Sequence, residues 1–298
     1  MTELPVPAGS GLKLGAITSG VSEDLEESLK VLVGKGLRYA ELASVWGIDV
    51  GHHDEEQVGA IVDMIRRHGC TVPAVSPRSF YELPILDTTA ESPAYLDDFE
   101  TLKRAIDLAK RLGTDIVRAM PFQRPSVIFG SGGAERFLAH QNRLWAALLK
   151  LYEGPVAYAE GQGVVIAVET GCDTMVSSCS LAARMARDIA SDSLRIMWDT
   201  GNNVYSTERQ FPDGYEAVRD YLVHVQVKDV RVDLVNASIE FCPLGEGDLA
   251  DQLAPLADAL RADGFDGVVS LENVYRPPGM TAAESFTKSV DTFVAVFG

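Results

Sequence analysis

Short β-rich runs alternate with longer amphipathic runs about eight times along this 298-residue chain, and that rhythm restricts the fold more than any other property of the sequence. The β-rich runs fall at 13–18, 39–42, 70–75, 115–119, 164–168, 194–198, 223–227 and 267–271. Strands separated by helices pair in parallel, because each helix carries the chain back to the starting edge of the sheet. Eight such units in 298 residues predict an α/β fold of one domain over 1–298, a (β/α)8 TIM barrel. A doubly wound sheet alternates as well. However, GLKLGAITSG at 11–20 contains no GxGxxG after the first strand, so the dinucleotide fingerprint is missing.

The helical runs carry their own signals. Phe99, Leu102, Ile106, Ala109 and Leu112 recur every three or four residues, while Lys103, Asp107 and Lys110 take the other face. Thr281 and Glu284 form a capping-box pair ahead of Phe286, Val290, Phe293 and Phe297, which makes a last helix that closes the ring. Pro255 interrupts the stripe Leu249, Leu253, Leu256 and Leu260, so that helix is expected to begin late or to kink. Asp248 in the GEGD turn is the expected cap of the same helix. Long joins at 77–93, 120–133 and 229–247 follow strands and crowd the C-terminal face, where barrel active sites are built. GSGG at 130–133 reads as a flexible join, since no GK[ST] follows to make a P-loop.

Composition narrows the partners. A formal charge of -17 with scattered basic residues argues against nucleic acid and against an anionic membrane. MTELPVPAGS at 1–10 lacks the pattern of a secretory signal, and no apolar run reaches membrane-spanning length, so a cytoplasmic protein is expected. Cys70, Cys172, Cys179 and Cys242 form no CxxC pair and read as reduced thiols.

Four oxygen-bearing residues stand where the last four strands end: Glu169 after VVIAV, Asp199 after LRIMW, Gln226 after VHV and Glu272 after VVSL. One acidic strand end is ordinarily a cap or an ion-pair partner. Corresponding positions on four adjacent barrel strands instead converge on one side of the mouth. Three carboxylates and a carboxamide offer only oxygen, which suits Mn2+ or Mg2+, with Co2+ as a substitute, better than Zn2+. One divalent cation is therefore expected, held by Glu169, Asp199, Gln226 and Glu272.

The segments VETG (168–171), WDTGN (198–202), HVQVKD (224–229), PLGEGDL (243–249) and SLEN (270–273) resemble the xylose-isomerase-like TIM-barrel superfamily of sugar isomerases, epimerases and related enzymes. The resemblance covers nearly the whole barrel. It implies a divalent ion held at Glu169, Asp199, Gln226 and Glu272, and a paired proton-transfer role for Glu169 and Glu272. Many members carry histidine at the position of Gln226, whereas hydroxypyruvate-isomerase-like members are similar to this chain in carrying glutamine. Asn202 stands where the epimerase branch often has histidine. The resemblance also implies a homodimer or homotetramer.

Other side chains at the mouth are open to two readings. His224 alternates onto the same side as Gln226, one layer deeper, and either supports the ligands, fills the core or ligates directly. Lys228 continues that face and either reaches a substrate oxygen or pairs with Asp229 or Glu246. Arg118 and Arg231 can hold a substrate carboxylate or hydroxyls, or tie loops. Glu41, ending the second strand, either orients a substrate hydroxyl or pairs with Arg38 or Lys13, and Asn202 is a further substrate contact. Trp46, Phe80 and Tyr81 either stack on a sugar or pack the barrel, and His52 and His53 read as a polar helix start.

The chemistry these residues predict is isomerisation or epimerisation of a small polyol or hydroxy-carbonyl compound. A proton is removed beside the carbonyl and returned elsewhere by Glu169 and Glu272, through an enediolate that the ion stabilises. A lyase or dehydratase acting on a keto-sugar or keto-inositol starts from the same step. A non-catalytic sugar-binding barrel is the remaining alternative.

Overall fold

The computed structural model describes residues 11–125, 133–206, 208–236 and 238–298, with backbone only at 133–141 and 205. Along the chain run β1 (Lys13–Ile17), α1 (Leu25–Gly34), β2 (Tyr39–Glu41), β3 (Ser44–Val45), β4 (Ile48–Asp49), α2 (Glu55–His68), α3 (Pro93–Leu112), β5 (Ile116–Ala119) and α4 (Gly133–Gln162). There follow β6 (Val165–Glu169), α5 (Cys179–Ile189), β7 (Leu194–Asp199), α6 (Tyr215–Val218), β8 (Leu222–Val227), β9 (Asp229–Asp233), β10 (Ser238–Cys242), α7 (Ala250–Ala262), β11 (Val268–Leu271) and α8 (Ala282–Phe297). Seven strands form one sheet in the order β2-β1-β11-β8-β7-β6-β5, and every pairing in it is parallel.

The eighth position of the ring belongs to residues 70–75. They contribute bridges rather than a continuous ladder, Leu42↔Val75 on one side and Val75↔Val117 on the other. Pro73 lies in the middle of this stretch and has no N–H to donate, so the ladder is interrupted there. The ring still closes, through Leu42 N–H to Ala74 O (3.3 Å), Val75 N–H to Ile116 O (3.0 Å) and Arg118 N–H to Val75 O (2.9 Å).

The helices cover the ring as their periodicity predicts. In α3 Leu102, Ile106 and Ala109 are buried against the sheet, and Gly113 ends the helix in the left-handed region at φ 78°. The Thr281–Glu284 capping box starts α8, which buries Phe286, Val290, Phe293 and Phe297. Each such aliphatic or aromatic side chain contributes about 1.5–3 kcal/mol through removal from water. Two expectations are corrected at α7. The helix runs through Pro255 from Ala250, and Asp248 does not cap it, because its carboxylate accepts from Val232 N–H at 2.8 Å.

The long joins are built structures. Phe80, Tyr95 and Phe122 form a triangle of near-parallel rings, with centroids 5.4, 5.1 and 6.4 Å apart, and this cluster pins the joins after the third and fourth strand positions. Phe80 is therefore packing, as is Trp46, which meets His53 edge-on at 6.0 Å. The join 229–247 contains the antiparallel hairpin β9–β10. The GSGG segment at 130–133 falls, except for Gly133, outside the described residues. Among the described residues no helix is long and apolar enough to cross a membrane.

Candidate active site

Alternation along the strands sorts the inward-facing side chains by height. Ala74, Ala167 and Met197 pack together as a small apolar cluster inside the ring. Two residues further along the corresponding strands come Ser76, Glu169 and Asp199, and β8 carries the sequence His224, Gln226, Lys228 upward. The register places Asp199 beside Gln226, and Gln226 beside Ser270.

One group of these residues is sealed. Glu41 is fully buried and accepts from Ser76 Oγ (2.7 Å) and Gln226 Nε2 (2.7 Å), and His224 Nε2 lies 2.7 Å from its other oxygen. The proton of that contact is on Nε2, since an ionised carboxylate only accepts. Burial works against the Glu41 charge, but His224 and the hydrogen bonds from His224 and Ser76 outweigh it and hold the carboxyl down to about 2. Glu41 and His224 therefore face each other inside the barrel. Neither lines the cavity above, and the pairing of Glu41 with Arg38 or Lys13 does not form.

The second group faces a cavity of about 310 Å³ whose lining includes Asp49, Arg78, Tyr81, Arg118, Glu169, Asn202, Lys228 and Glu272. That volume is at the lower end of small-ligand pockets, ~300–1,000 Å³. Arg118 Nη1 lies 2.5 Å from Glu169 Oε2, and its other nitrogens donate to Pro77 O (3.1 Å) and Ser76 O (2.6 Å). Asn202 Nδ2 donates to the second Glu169 oxygen at 3.0 Å. Asp199 Oδ1 accepts from its own turn, Gly201 N–H at 2.8 Å and Asn202 N–H at 2.9 Å, as aspartates in tight turns do. Its Oδ2 is left with the Lys228 ammonium alone, 2.8 Å away. Lys228 Nζ is also 2.6 Å from Glu272 Oε2.

These pairings occupy oxygens of the expected ring of four. Arg118 and Lys228 enter between the carboxylates, and among the described residues no three His, Cys, Asp or Glu side chains come close enough together to hold a metal ion. Lys228 pairs with neither Asp229 nor Glu246. Gln226 turns its amide N–H toward Glu41, which leaves Oε1 buried without a partner. Arg231 lies on the hairpin, half-exposed, donates to Glu246 O at 2.9 Å and does not line the cavity.

Donor chemistry still fits a hard divalent cation. Three carboxylates stand at strand ends of the mouth, and two buried acceptors there belong to registered neighbours: Asp199 Oδ2, which meets only the Lys228 ammonium, and Gln226 Oε1, which meets no donor. Unpaired buried acceptors are costly, and an absent ion is a common reason for them.

The carboxyls respond to their surroundings in opposite directions. Burial raises the Glu169 pKa, the Arg118 guanidinium opposes it, and the Glu272 charge adds to it. Burial pushes Asp199 well up, with Lys228 opposing and Glu272 adding. Glu272 goes down, because Lys228 and the contact with Asp199 overcome its burial. Burial disfavours the Lys228 ammonium, yet Asp199 and Glu272 raise its pKa above the usual value.

Several lining residues had no signal in the strand pattern. Arg78 lies over the Tyr81 ring at 4.6 Å, and Asp49, whose carboxyl burial raises to about 6, sits on the two-residue strand β4. Both come from joins, where periodicity is silent. Beyond Lys228, Asp229 gathers four backbone N–H groups, from Val230 (2.9 Å), Gly245 (2.9 Å), Gly247 (2.9 Å) and Leu249 (3.1 Å). A side chain at Gly247 would collide with it, its Cβ falling 2.3 Å from Asp229 Oδ1, which is why the turn there is glycine.

A closed parallel barrel with carboxylates gathered at the C-terminal strand ends defines the class as a TIM-barrel protein with an enzyme-like mouth. The chain belongs to the xylose isomerase-like TIM barrel family, whose model matches residues 29–291. Its fold is similar to that of 3-keto-D-glucoside 4-epimerase from E. coli in its apo form, at 17% identity over 96% of this chain and 98% of that one, with a TM-score of 0.70. A D-tagatose 3-epimerase-like protein is similar at 17% identity over 96% and 97% of the two chains, with a TM-score of 0.71. A xylose isomerase-like TIM barrel protein from Mycobacterium smegmatis in complex with magnesium is similar at 16% identity over 96% of each chain, with a TM-score of 0.65. Curated protein sequences contain no match to the chain.

Proposed function

We propose that the protein is a divalent-metal-dependent isomerase or epimerase of a small sugar or hydroxy-carbonyl compound. The observation that carries this reading is geometric: two carboxyls from well-separated strands of the barrel, Glu169 and Glu272, line one cavity together with Arg78, Asn202 and Lys228. Two carboxyls facing one small-ligand cavity can remove and return a proton of the molecule between them. The similarity to sugar epimerase structures supports the same reaction class.

Glu169 and Glu272 together remove the proton beside the substrate carbonyl and return one. Arg118 and Asn202 hold the two oxygens of Glu169, so its carboxyl keeps one orientation toward the cavity. Asp199, Glu169, Glu272 and the free oxygen of Gln226 would hold a divalent ion, which when bound would supply a Lewis acid to the substrate carbonyl. Arg118 is anchored by Glu169 and two backbone oxygens, so Arg78, which lines the same cavity from a join, is the arginine freer to turn toward substrate oxygens.

Incubation of aldoses, ketoses and keto-inositols in heavy water with Mn2+, followed by NMR, tests the reaction. Deuterium is expected at the carbon beside the carbonyl of the turned-over compound, together with an epimer or isomer. Glu169→Gln is expected to lower turnover about 10³-fold. Turnover without deuterium incorporation, or with loss of water as the only outcome, would refute isomerisation by exchangeable proton transfer.

A further inference from the structure

We propose that Lys228 is a resident cation of the site, which occupies the carboxylate oxygens a divalent ion needs and must leave them for that ion to bind. The inference rests on the metal-dependent reading above. Lys228 Nζ lies 2.8 Å from Asp199 Oδ2 and 2.6 Å from Glu272 Oε2, and the residue is buried at 6% exposure. A divalent ion binds carboxylate oxygens at ~2.0–2.6 Å. An ammonium and a divalent ion drawn to the same two oxygens repel one another at that separation, so the two compete for Asp199 Oδ2 and Glu272 Oε2.

The lysine's position is built, and it is not a chance rotamer. Its stem lies along the backbone of Gly201, where an added Cβ would stand 2.5 Å from Lys228 Cγ and 2.7 Å from Cε. Any side chain at 201 would therefore push the lysine off the carboxylates. Gly201 belongs to the turn whose N–H groups fix Asp199 Oδ1, so a single turn both orients the aspartate and admits its counter-charge. With the lysine in place, Asp199 and Glu272 share one counter-charge without metal, which offsets part of the repulsion between the two carboxylates. Released from them, the ammonium stays at the cavity, which Lys228 lines, and there it can donate to a substrate oxygen. Lys228 thus couples ion binding to the appearance of a substrate-binding positive charge.

The test compares wild type, Lys228→Met and Gly201→Ala, each stripped with EDTA and checked for folding by circular dichroism. Free Mn2+ is titrated by electron paramagnetic resonance, and melting is followed with and without saturating Mn2+. Lys228→Met is expected to bind Mn2+ at least tenfold more tightly than wild type. It should melt below wild type in EDTA, with the gap closed or reversed by Mn2+. Gly201→Ala, with the lysine still present but displaced, is expected to tighten Mn2+ binding several-fold, and it carries the test if Lys228→Met does not fold. Equal or weaker Mn2+ binding by folded variants, with wild type still binding, would overturn the resident cation alone. Absence of Mn2+ binding in wild type and in both folded variants would overturn the metal-dependent reading and this inference together.

Discussion

Two buried polar groups lie one above the other in this barrel, and they are paired in different ways. The lower one, in which Ser76, His224 and the Gln226 amide N–H all turn on Glu41, is shut away from the cavity. The upper one, made of Arg118, Glu169, Asp199, Lys228 and Glu272, is also ion-paired, yet it borders a cavity and keeps acceptors in reserve. Buried charge is thus a poor guide to function when taken alone. The lower carboxyl is held down to about 2, the response of a group fixed in its ionised form. In the upper group burial raises Glu169 and Asp199, while Lys228 and the contact with Asp199 take Glu272 down, so the group does not settle in one direction.

This contrast can be broken by substitution. Glu41→Ala leaves His224, Ser76 and the Gln226 amide without their acceptor, and removal of one partner from a buried pair costs about 3–5 kcal/mol. Urea unfolding should show a loss of that size, and a loss below about 1 kcal/mol would mean that the lower group is not a structural unit. Acid sharpens the comparison further. Because the folded-state pKa of Glu41 lies below its unfolded value of 4.5, its stabilising share is complete above about pH 4.5 and is lost as pH falls toward about 2. Unfolding free energy measured between these limits should fall more steeply for wild type than for Glu41→Gln. The smallest effect belongs to Asn202→Ala in the upper group, which removes one hydrogen bond to Glu169 and should cost about 0.5–1.5 kcal/mol of stability. It should also shift the pH dependence of turnover, and an unmoved profile would remove Asn202 from the positioning of Glu169.

Most of the barrel was legible in the sequence because strand ends are set by local alternation. The run at 164–168 became Val165–Glu169 and that at 223–227 became Leu222–Val227. The third run, 70–75, lost its ladder to Pro73, a residue visible in the sequence whose consequence for pairing is plain once its missing N–H is counted. At the mouth, alternation named the right height and the right side for Glu169, Asp199, Gln226 and Glu272. It could not say which charges would pair, because Arg118 and Lys228 alternate onto that same side and their long stems reach any neighbour within several ångströms. Gln226 was placed correctly on its strand, but its amide has two ends, and only the proximity of Glu41 decides which of them points down. Arg78 and Asp49 lie in joins, beyond the reach of any repeat.

Asp229 sits next to Lys228 and gathers amides from both ends of the segment that follows it, Val230 at the start and Gly245, Gly247 and Leu249 at the finish. A single carboxylate therefore clamps the root of the β9–β10 hairpin, whose tip carries Leu234 and Val235 into solvent. The base of the same hairpin is tied into the mouth, because the Lys228 ammonium lies 5.8 Å from the centre of the Phe241 ring on β10. A change confined to the tip around Leu234 and Val235 is therefore expected to spare the cavity, whereas one that reaches Phe241 alters the packing over Lys228.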